Sequence, residues 1–227
     1  MLLKAEGISK QYLRENGNSN IFFSVRETDF ELPASALTVL EGRSGSGKTT
    51  LLNMLAGLLS PSKGRVTLDG TDLYGMNDRE LSLFRNRHFG IIPQGQTAIS
   101  TLTVLENVIL PASLSGNTPG LSSRAARLLE RMGIGHLKNV FPRELSGGEL
   151  RRVSIARALI NEPEVIFADE PTSDLDDENT ALVFRILREL AGDGKAVLAV
   201  THERDAGKYA DRMFQMRSGR LGEAVLT

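Results

Sequence analysis

Hydrophobic and polar positions along the chain follow two different periods. The opening segment alternates loosely between apolar and polar residues, and "RENGNSN" (Arg14 to Asn20) breaks it with turn formers, which predicts a hairpin or loop. "ALTVLEG" is a short apolar strand ending at Gly42. Thr49 to Leu59 has helical spacing, and Ser60-Pro61 stops it. "GRVTLDG" reads as a strand with turn residues at both ends, Asn77 to Arg87 as a helix and "HFGIIPQ" as a strand. From Thr101 to Ile160 the pattern is helical, with interruptions expected at Pro111, at "SGNTPG" and at Pro142. "EVIFADE" and "AVLAVTH" are apolar, β-branched strands separated by the helix-like "DDENTALVFRILREL", and "MFQMRSGRLGEAV" reads as a closing hairpin.

Strand and helix thus alternate at both ends of the chain, with a mostly helical block between them. That order predicts an α/β fold: a parallel-sheet core carrying an inserted helical subdomain. With 227 residues, 24% charged and 41% hydrophobic, the chain suits one large α/β domain or one domain with an insertion. Net charge is −1, so no basic excess points to nucleic acid. There is no Cys, hence no disulfide framework and no thiolate metal site. "MLLKAEGISK" lacks the apolar centre of a signal peptide. No apolar run approaches the ~18 residues of a membrane span. The longest, around "TLTVLENVILPASL", is cut by Glu106, Asn107 and Pro111. Any membrane role is therefore expected to run through a partner.

The chemistry starts at Gly42-Arg43-Ser44-Gly45-Ser46-Gly47-Lys48-Thr49, which fits G-x-x-x-x-G-K-[ST] between a predicted strand and a predicted helix. Glycines let the backbone curl until its N–H groups converge on an anion, and the helix adds its N-terminal dipole. Lys48 supplies a compact charge for β- and γ-phosphates, and Thr49 a hydroxyl for Mg²⁺. "VIFADE" puts Asp169 and Glu170 at the C-terminal end of a strand, where parallel α/β sheets build their sites. One carboxylate can hold Mg²⁺ through water, and the next can act as general base on the attacking water. His202 ends the strand "AVLAVT" at the same edge, beside the expected γ-phosphate. Gln94 closes "FGIIP", where an amide can reach Mg²⁺ or the attacking water. His88 and His136 have no such context and read as structural.

"LSGGELRRVSIARAL" opens with Ser146 as a helix N-cap and Glu149 at the capping-box position. Two glycines in a helix's first turn cost on the order of 1 kcal/mol each against Ala. Close approach of an anion to exposed N–H groups would account for them. One nucleotide needs one cradle, so this second cradle is expected to serve a neighbouring molecule.

Together these residues resemble the nucleotide-binding subunits of ABC transporters, over essentially the whole chain. Gly42 to Thr49 resembles the Walker A motif, Gln94 the Q-loop, "LSGGE" (Leu145 to Glu149) the signature, "VIFADE" the Walker B motif with Glu170 as catalytic residue, "SDLD" (Ser173 to Asp176) the D-loop, and His202 the switch histidine. Tyr12, in "ISKQY", is similar to the aromatic that stacks on adenine. The resemblance implies a single P-loop NTPase (RecA-like) domain over 1–227. Its core, with an N-terminal antiparallel β subdomain, would span approximately 1–93 and 161–227, and its helical subdomain approximately 94–160. It implies a Mg²⁺-dependent ATPase in which Glu170, His202, Gln94 and Lys48 are catalytic. Gly42, Ser44, Gly45, Ser46, Gly47, Lys48, Thr49, Thr50 and Asp169 would surround the ATP phosphates, and Thr49, Gln94 and Asp169 the metal. Ser146, Gly147, Gly148, Glu149 and Asp176 would reach the ATP of a partner in a head-to-tail homodimer. Separately encoded integral membrane subunits would receive the motion, with the ATPase peripheral on the cytoplasmic face of the membrane.

Within the family, "LLNMLAGLLSPSKGRVTLDGTDL", "FRNRHFGIIPQ", "LTVLENVILP" and "ADEPTSDLD" resemble most the lipoprotein-release and macrolide-exporter (LolD/MacB-like) branch, which implies export, extraction or extrusion. Pro93 stands where that branch often has an aromatic, Glu149 where Gln is commoner, and Asp174 where Asn or Ala is usual; none of these removes a catalytic group. Two other readings share the ATPase but differ in partner. One is a soluble ABC-type ATPase acting on ribosomes or DNA, against which stand the single domain, the absent heptads and the lack of basic surplus. The other is a division-type regulatory ATPase that signals across the membrane without moving cargo.

Overall fold

The structure, a computed structural model, describes residues 2–14, 20–114, 116 and 119–224, with no side chain described for 14, 20 and 204. The middle of the turn expected over Arg14 to Asn20, and part of "SGNTPG", lie outside the described residues. Two long strands, β1 (Leu2–Arg14) and β2 (Asn20–Pro33), pair antiparallel with Ala5 opposite Phe30 and Tyr12 opposite Phe22. β3 (Ala36–Glu41) leads through the glycine-rich loop to α1 (Lys48–Leu55). This helix ends before Leu59: Gly57 turns left-handed at φ 67°, and the amides of Leu58 and Leu59 fold back onto the Asn53 carbonyl.

Then come β4 (Lys63–Leu68), β5 (Thr71–Asp72), α2 (Asp78–His88) and β6 (Phe89–Ile92). Asn77 caps α2 in a reciprocal box with Glu80. The helical block holds α3 (Val104–Leu114), α4 (Leu121–Arg131) and α5 (Gly147–Leu159). Pro111 was expected to interrupt this block, but it lies inside α3. Proline removes one helical hydrogen bond, yet α3 buries Val104, Val108 and Ala112 completely, and that packing outweighs the lost bond. β7 (Val165–Asp169), α6 (Asp177–Gly192), β8 (Ala196–Thr201), β9 (Arg212–Arg217) and β10 (Arg220–Glu223) complete the chain.

Among the described residues the strands form two sheets, a four-stranded one ordered β2-β1-β4-β5 and a six-stranded one ordered β10-β9-β3-β8-β7-β6. The first is antiparallel; the second is parallel except where β10 joins β9. The inner strands β3, β7 and β8 are buried on both faces, which is why they read as near-continuous apolar runs. Ile166, Ala168, Val197 and Ala199 pack towards α3–α6, while Val165, Phe167, Leu198 and Val200 pack towards α1 and the antiparallel sheet. The fold is thus the expected α/β P-loop architecture, with an antiparallel sheet and a helical insertion. Strand order fixes the neighbours at the working edge: β3, β8 and β7 lie side by side, and the segments that follow them emerge together.

Candidate active site

The loop from Gly42 to Gly47 is shaped by what presses on it. A side chain at Gly42 would collide with the Met216 carbonyl, and one at Gly47 with the Ser24 carbonyl. Gly47 also has φ 107°, a conformation that L side chains rarely adopt. The loop is anchored from outside, since the Gly219 amide donates to the Ser46 carbonyl at 2.9 Å. The Ser24 and Thr50 hydroxyls bond at 2.8 Å, so Thr50 ties α1 to β2.

Two features leave this loop ready for an anion. α1 starts without a side-chain cap, so its first amides keep no partner from a capping residue. The Ser46 hydroxyl is buried without a hydrogen-bond partner. Lys48, only 5% exposed, extends its ammonium along the loop and donates to the carbonyls of Gly42 (2.7 Å) and Arg43 (3.3 Å). These features fit a phosphate chain lying over the loop.

The carboxylates meet this cradle from β7. Thr49 donates through Oγ1 to Asp169 Oδ1 at 3.1 Å, bringing two hard oxygen donors to the foot of the loop. Burial pushes the Asp169 carboxyl above its ordinary value; the Thr49 bond opposes this, the Glu170 charge adds to it and Lys48 counters it. Glu170 follows with φ 45° and is 8% exposed. Its amide donates to the Val200 carbonyl at 2.8 Å, so the sharp turn out of β7 is pinned to β8. One carboxylate oxygen lies 3.4 Å from the Lys48 ammonium, and the other 2.8 Å from His202 Nδ1. A buried carboxylate held in a strained turn between a cation and an imidazole is poised chemistry rather than ordinary packing. Among the described residues no cluster of three His, Cys, Asp or Glu could hold a metal by itself. A cation at Thr49 and Asp169 would draw its remaining oxygens from phosphate and water, as Mg²⁺ does.

An open cleft of ≈ 810 Å³ lies over the loop, lined by Gly42, Ser44, Gly45, Ser46 and His202 and, opposite, by the β9–β10 hairpin. No sequence motif marks that hairpin wall, Gln215 to Ser218, as part of the site. The Ser218-Gly219 pair signals only its turn, with φ values of 48° and 78° that match a tight type I′ turn. Several expected site residues do not line this cleft. Gln94 is exposed beyond the end of β6, and Tyr12 lies on β1, 43% exposed, with the Lys10 ammonium 5.5 Å from its ring centre. Asp176 caps α6 through the Asn179 amide at 2.8 Å.

The start of α5 is elsewhere as well. Ser146 and Glu149 form a complete capping box, with Glu149 Oε2 2.7 Å from the Ser146 amide and 2.8 Å from its hydroxyl. These bonds hold the Glu149 carboxyl below its usual value. Gly148 has a packing reason to lack a side chain, because a Cβ there would collide with Asn179. Gly147 has none: a Cβ would meet only Leu175, at 3.8 Å. Packing thus accounts for the missing side chain at Gly148, whereas at Gly147 no contact requires it.

A family model described as "ABC transporter" matches residues 25–173. The chain is 39% identical over 223 residues to the lipoprotein-releasing system ATP-binding protein LolD of Shewanella oneidensis, covering 97% of this chain and 96% of that one. It is 40% identical over 221 residues to the macrolide export ATP-binding/permease protein MacB of Nitrosomonas europaea, covering 97% of this chain but 33% of that longer protein. Among solved structures, a dimeric structure of MJ0796, described as a bacterial ABC transporter cassette, superposes with a TM-score of 0.87 at 31% identity, covering 97% of this chain and 98% of that one. A post-hydrolysis dimer of the same cassette, bound to ADP and Pi, matches equally well.

Proposed function

The chain belongs to the ABC transporter family as one of its ATP-hydrolysing subunits, and on that premise we propose how its residues divide the work and where it acts. The observation that carries the proposal is the Lys48–Glu170–His202 cluster beneath an uncapped, glycine-formed helix start. ATP lies with its phosphates over Gly42 to Thr49, held by backbone amides, the Ser46 hydroxyl and Lys48. Thr49 and Asp169 would hold Mg²⁺, joined by Gln94 from the segment after β6. When bound, Mg²⁺ neutralises charge on the β- and γ-phosphate oxygens. Glu170 accepts the proton of the attacking water, and His202 fixes the Glu170 carboxylate and meets the γ-phosphate. The Lys48 ammonium donates to main-chain carbonyls of the loop and lies near Glu170, where it can reach a bound phosphate. Tyr12 stacks on the adenine.

The start of α5 lies outside the cleft of its own chain. We assign it to a second copy: Ser146 and Gly147 of one protomer close over the γ-phosphate on the other's Lys48, in a head-to-tail homodimer. The relatives named for lipoprotein release and macrolide export support export or extraction; this chain acts from the cytoplasmic face on separate membrane subunits. Among the described residues no helix is long and apolar enough to cross a membrane, so membrane work falls to those subunits.

The test is to trap Glu170→Gln with ATP and Mg²⁺ in detergent-solubilised membranes of the source organism and identify what it retains. An integral membrane protein with few spans and a large extracytoplasmic domain is the expected result. A many-span permease would discard the branch, and ribosomes or a soluble partner would overturn the transporter role.

A further inference from the structure

Arg151, in the second turn of α5, is 6% exposed, yet among the described residues it has no carboxylate at ion-pair distance. One arm of its guanidinium donates to the Pro93 carbonyl at 2.9 Å and the other reaches Ser173 Oγ at 3.5 Å. Pro93 is the residue immediately before Gln94. The Ser173 amide donates to the Glu170 carbonyl at 3.2 Å. A single side chain thus spans from the backbone that presents Gln94 to the turn that presents Glu170.

Stability alone does not favour arginine here. Burying a cation with no carboxylate in direct contact is costly, and a well-packed apolar side chain of similar length would avoid that cost. Burial does push the Arg151 guanidinium pKa down, with only the Asp174 charge opposing it. What arginine offers instead is a planar fork that can address two acceptors at once. The two segments also need a tie. A cavity of ≈ 220 Å³ separates them, lined by Gln96, Thr97, Arg151, Ser154 and Asp174 among others, and the Ser154 hydroxyl is buried there without a partner. Farther along α5, Arg157 holds the same loop through the Thr97 carbonyl at 2.7 Å but makes no bond to the Ser173 turn. Arg151 is the α5 side chain that bridges both.

We infer that Arg151 is a positioning residue for hydrolysis, setting Gln94 and the Glu170 turn in register so that both face one γ-phosphate. This rests on the roles proposed above for Gln94 and Glu170. Small misplacements of catalytic groups cost on the order of 10- to 100-fold in rate. The effect belongs in kcat, because Arg151 does not line the nucleotide cleft.

The test is a double-mutant cycle on ATPase rate, with nucleotide affinity and melting temperature measured alongside. Arg151→Met is expected to lower kcat about 10-fold or more while ATP affinity stays within about two-fold. In a Gln94→Ala background the same substitution is expected to cost markedly less than in the native background, since one of the two groups it sets in register is already gone. Arg151→Lys, whose ammonium can reach the Pro93 carbonyl but cannot fork, is expected to recover part of the rate. An equal fold-loss in both backgrounds, or no loss at all, would overturn the proposal. Full turnover in Gln94→Ala alone would instead contradict the underlying reading of Gln94, and the inference with it. If Arg151→Met does not fold, the cycle is run with Arg151→Lys under the same criterion.

Discussion

Two helices in this chain begin at glycines, and they are built in opposite ways. α1 begins at Gly47 with φ 107°, no capping side chain, a buried unpartnered serine hydroxyl and a lysine folded over the loop. Its needs are unmet within the protomer. α5 begins at Ser146 with its cap fully made by Glu149, and one of its two glycines is explained by contact with Asn179. Its needs are nearly all met. On the proposed function, the difference separates a site that binds from a site that completes: α1 leaves its first amides and the Ser46 hydroxyl without partners, while α5 is capped, with one place, Gly147, where the backbone is left bare.

Substitutions can break or sharpen that contrast, and the largest effect is expected at the carboxylate above α1. Glu170→Gln keeps the shape and removes the base, so kcat should fall by about 10²- to 10⁴-fold with ATP binding retained; steady-state turnover and nucleotide titration measure both. Gly47→Ala comes next. It forces a side chain into a left-handed position and against the Ser24 carbonyl, so it is expected to cost about 3 kcal/mol or more and to abolish ATP binding, read by urea unfolding and nucleotide titration.

At α5 the two roles come apart. Ser146→Ala loses the cap and should cost about 1 kcal/mol of stability. Gly147→Ala should leave stability of the isolated chain within about 0.5 kcal/mol or slightly raise it, yet weaken ATP-dependent dimerisation seen by light scattering. Weaker stability with intact dimerisation in Gly147→Ala would erase the distinction between the two helix starts.

The smallest effect is electrostatic. Burial raises the Asp169 pKa, so the folded chain binds that proton more readily than the unfolded chain. The group therefore favours folding below the unfolded pKa, and this contribution is lost as pH rises through the folded value. Asp169→Asn is expected to raise the nucleotide-free melting temperature at neutral pH, with the gain shrinking towards about pH 4, where the unfolded carboxyl begins to protonate. A melting temperature that falls at neutral pH would contradict the burial argument.

Much of this was legible in the sequence because local chemistry and global fold agree. The loop from Gly42 to Thr49 is written in residue types that only its backbone path needs. The parallel strands are legible because both faces are apolar, as at Phe167 and Ala168. The misses have a common cause, namely interactions between distant segments. Pro111 stays helical because α4 and α5 reward the packing of α3. The β9–β10 wall reaches the glycine loop only through sheet order, which no local pattern encodes. Arg151 looks like any charged helix residue until Pro93 and Ser173, 58 and 22 positions away, close on it.

The central claim is that α5 of one protomer completes the α1 site of another, and mixing two inactive variants tests it directly. Lys48→Ala disables the cradle and Ser146→Arg blocks the completing surface, so each homodimer should hydrolyse almost no ATP. A mixed dimer arranged head to tail contains one site with an intact Lys48 and an intact Ser146, drawn from different chains. Turnover recovered on mixing is the expected result. No recovery, with mixed dimers demonstrably formed, would place both elements in the same protomer's site and contradict the account.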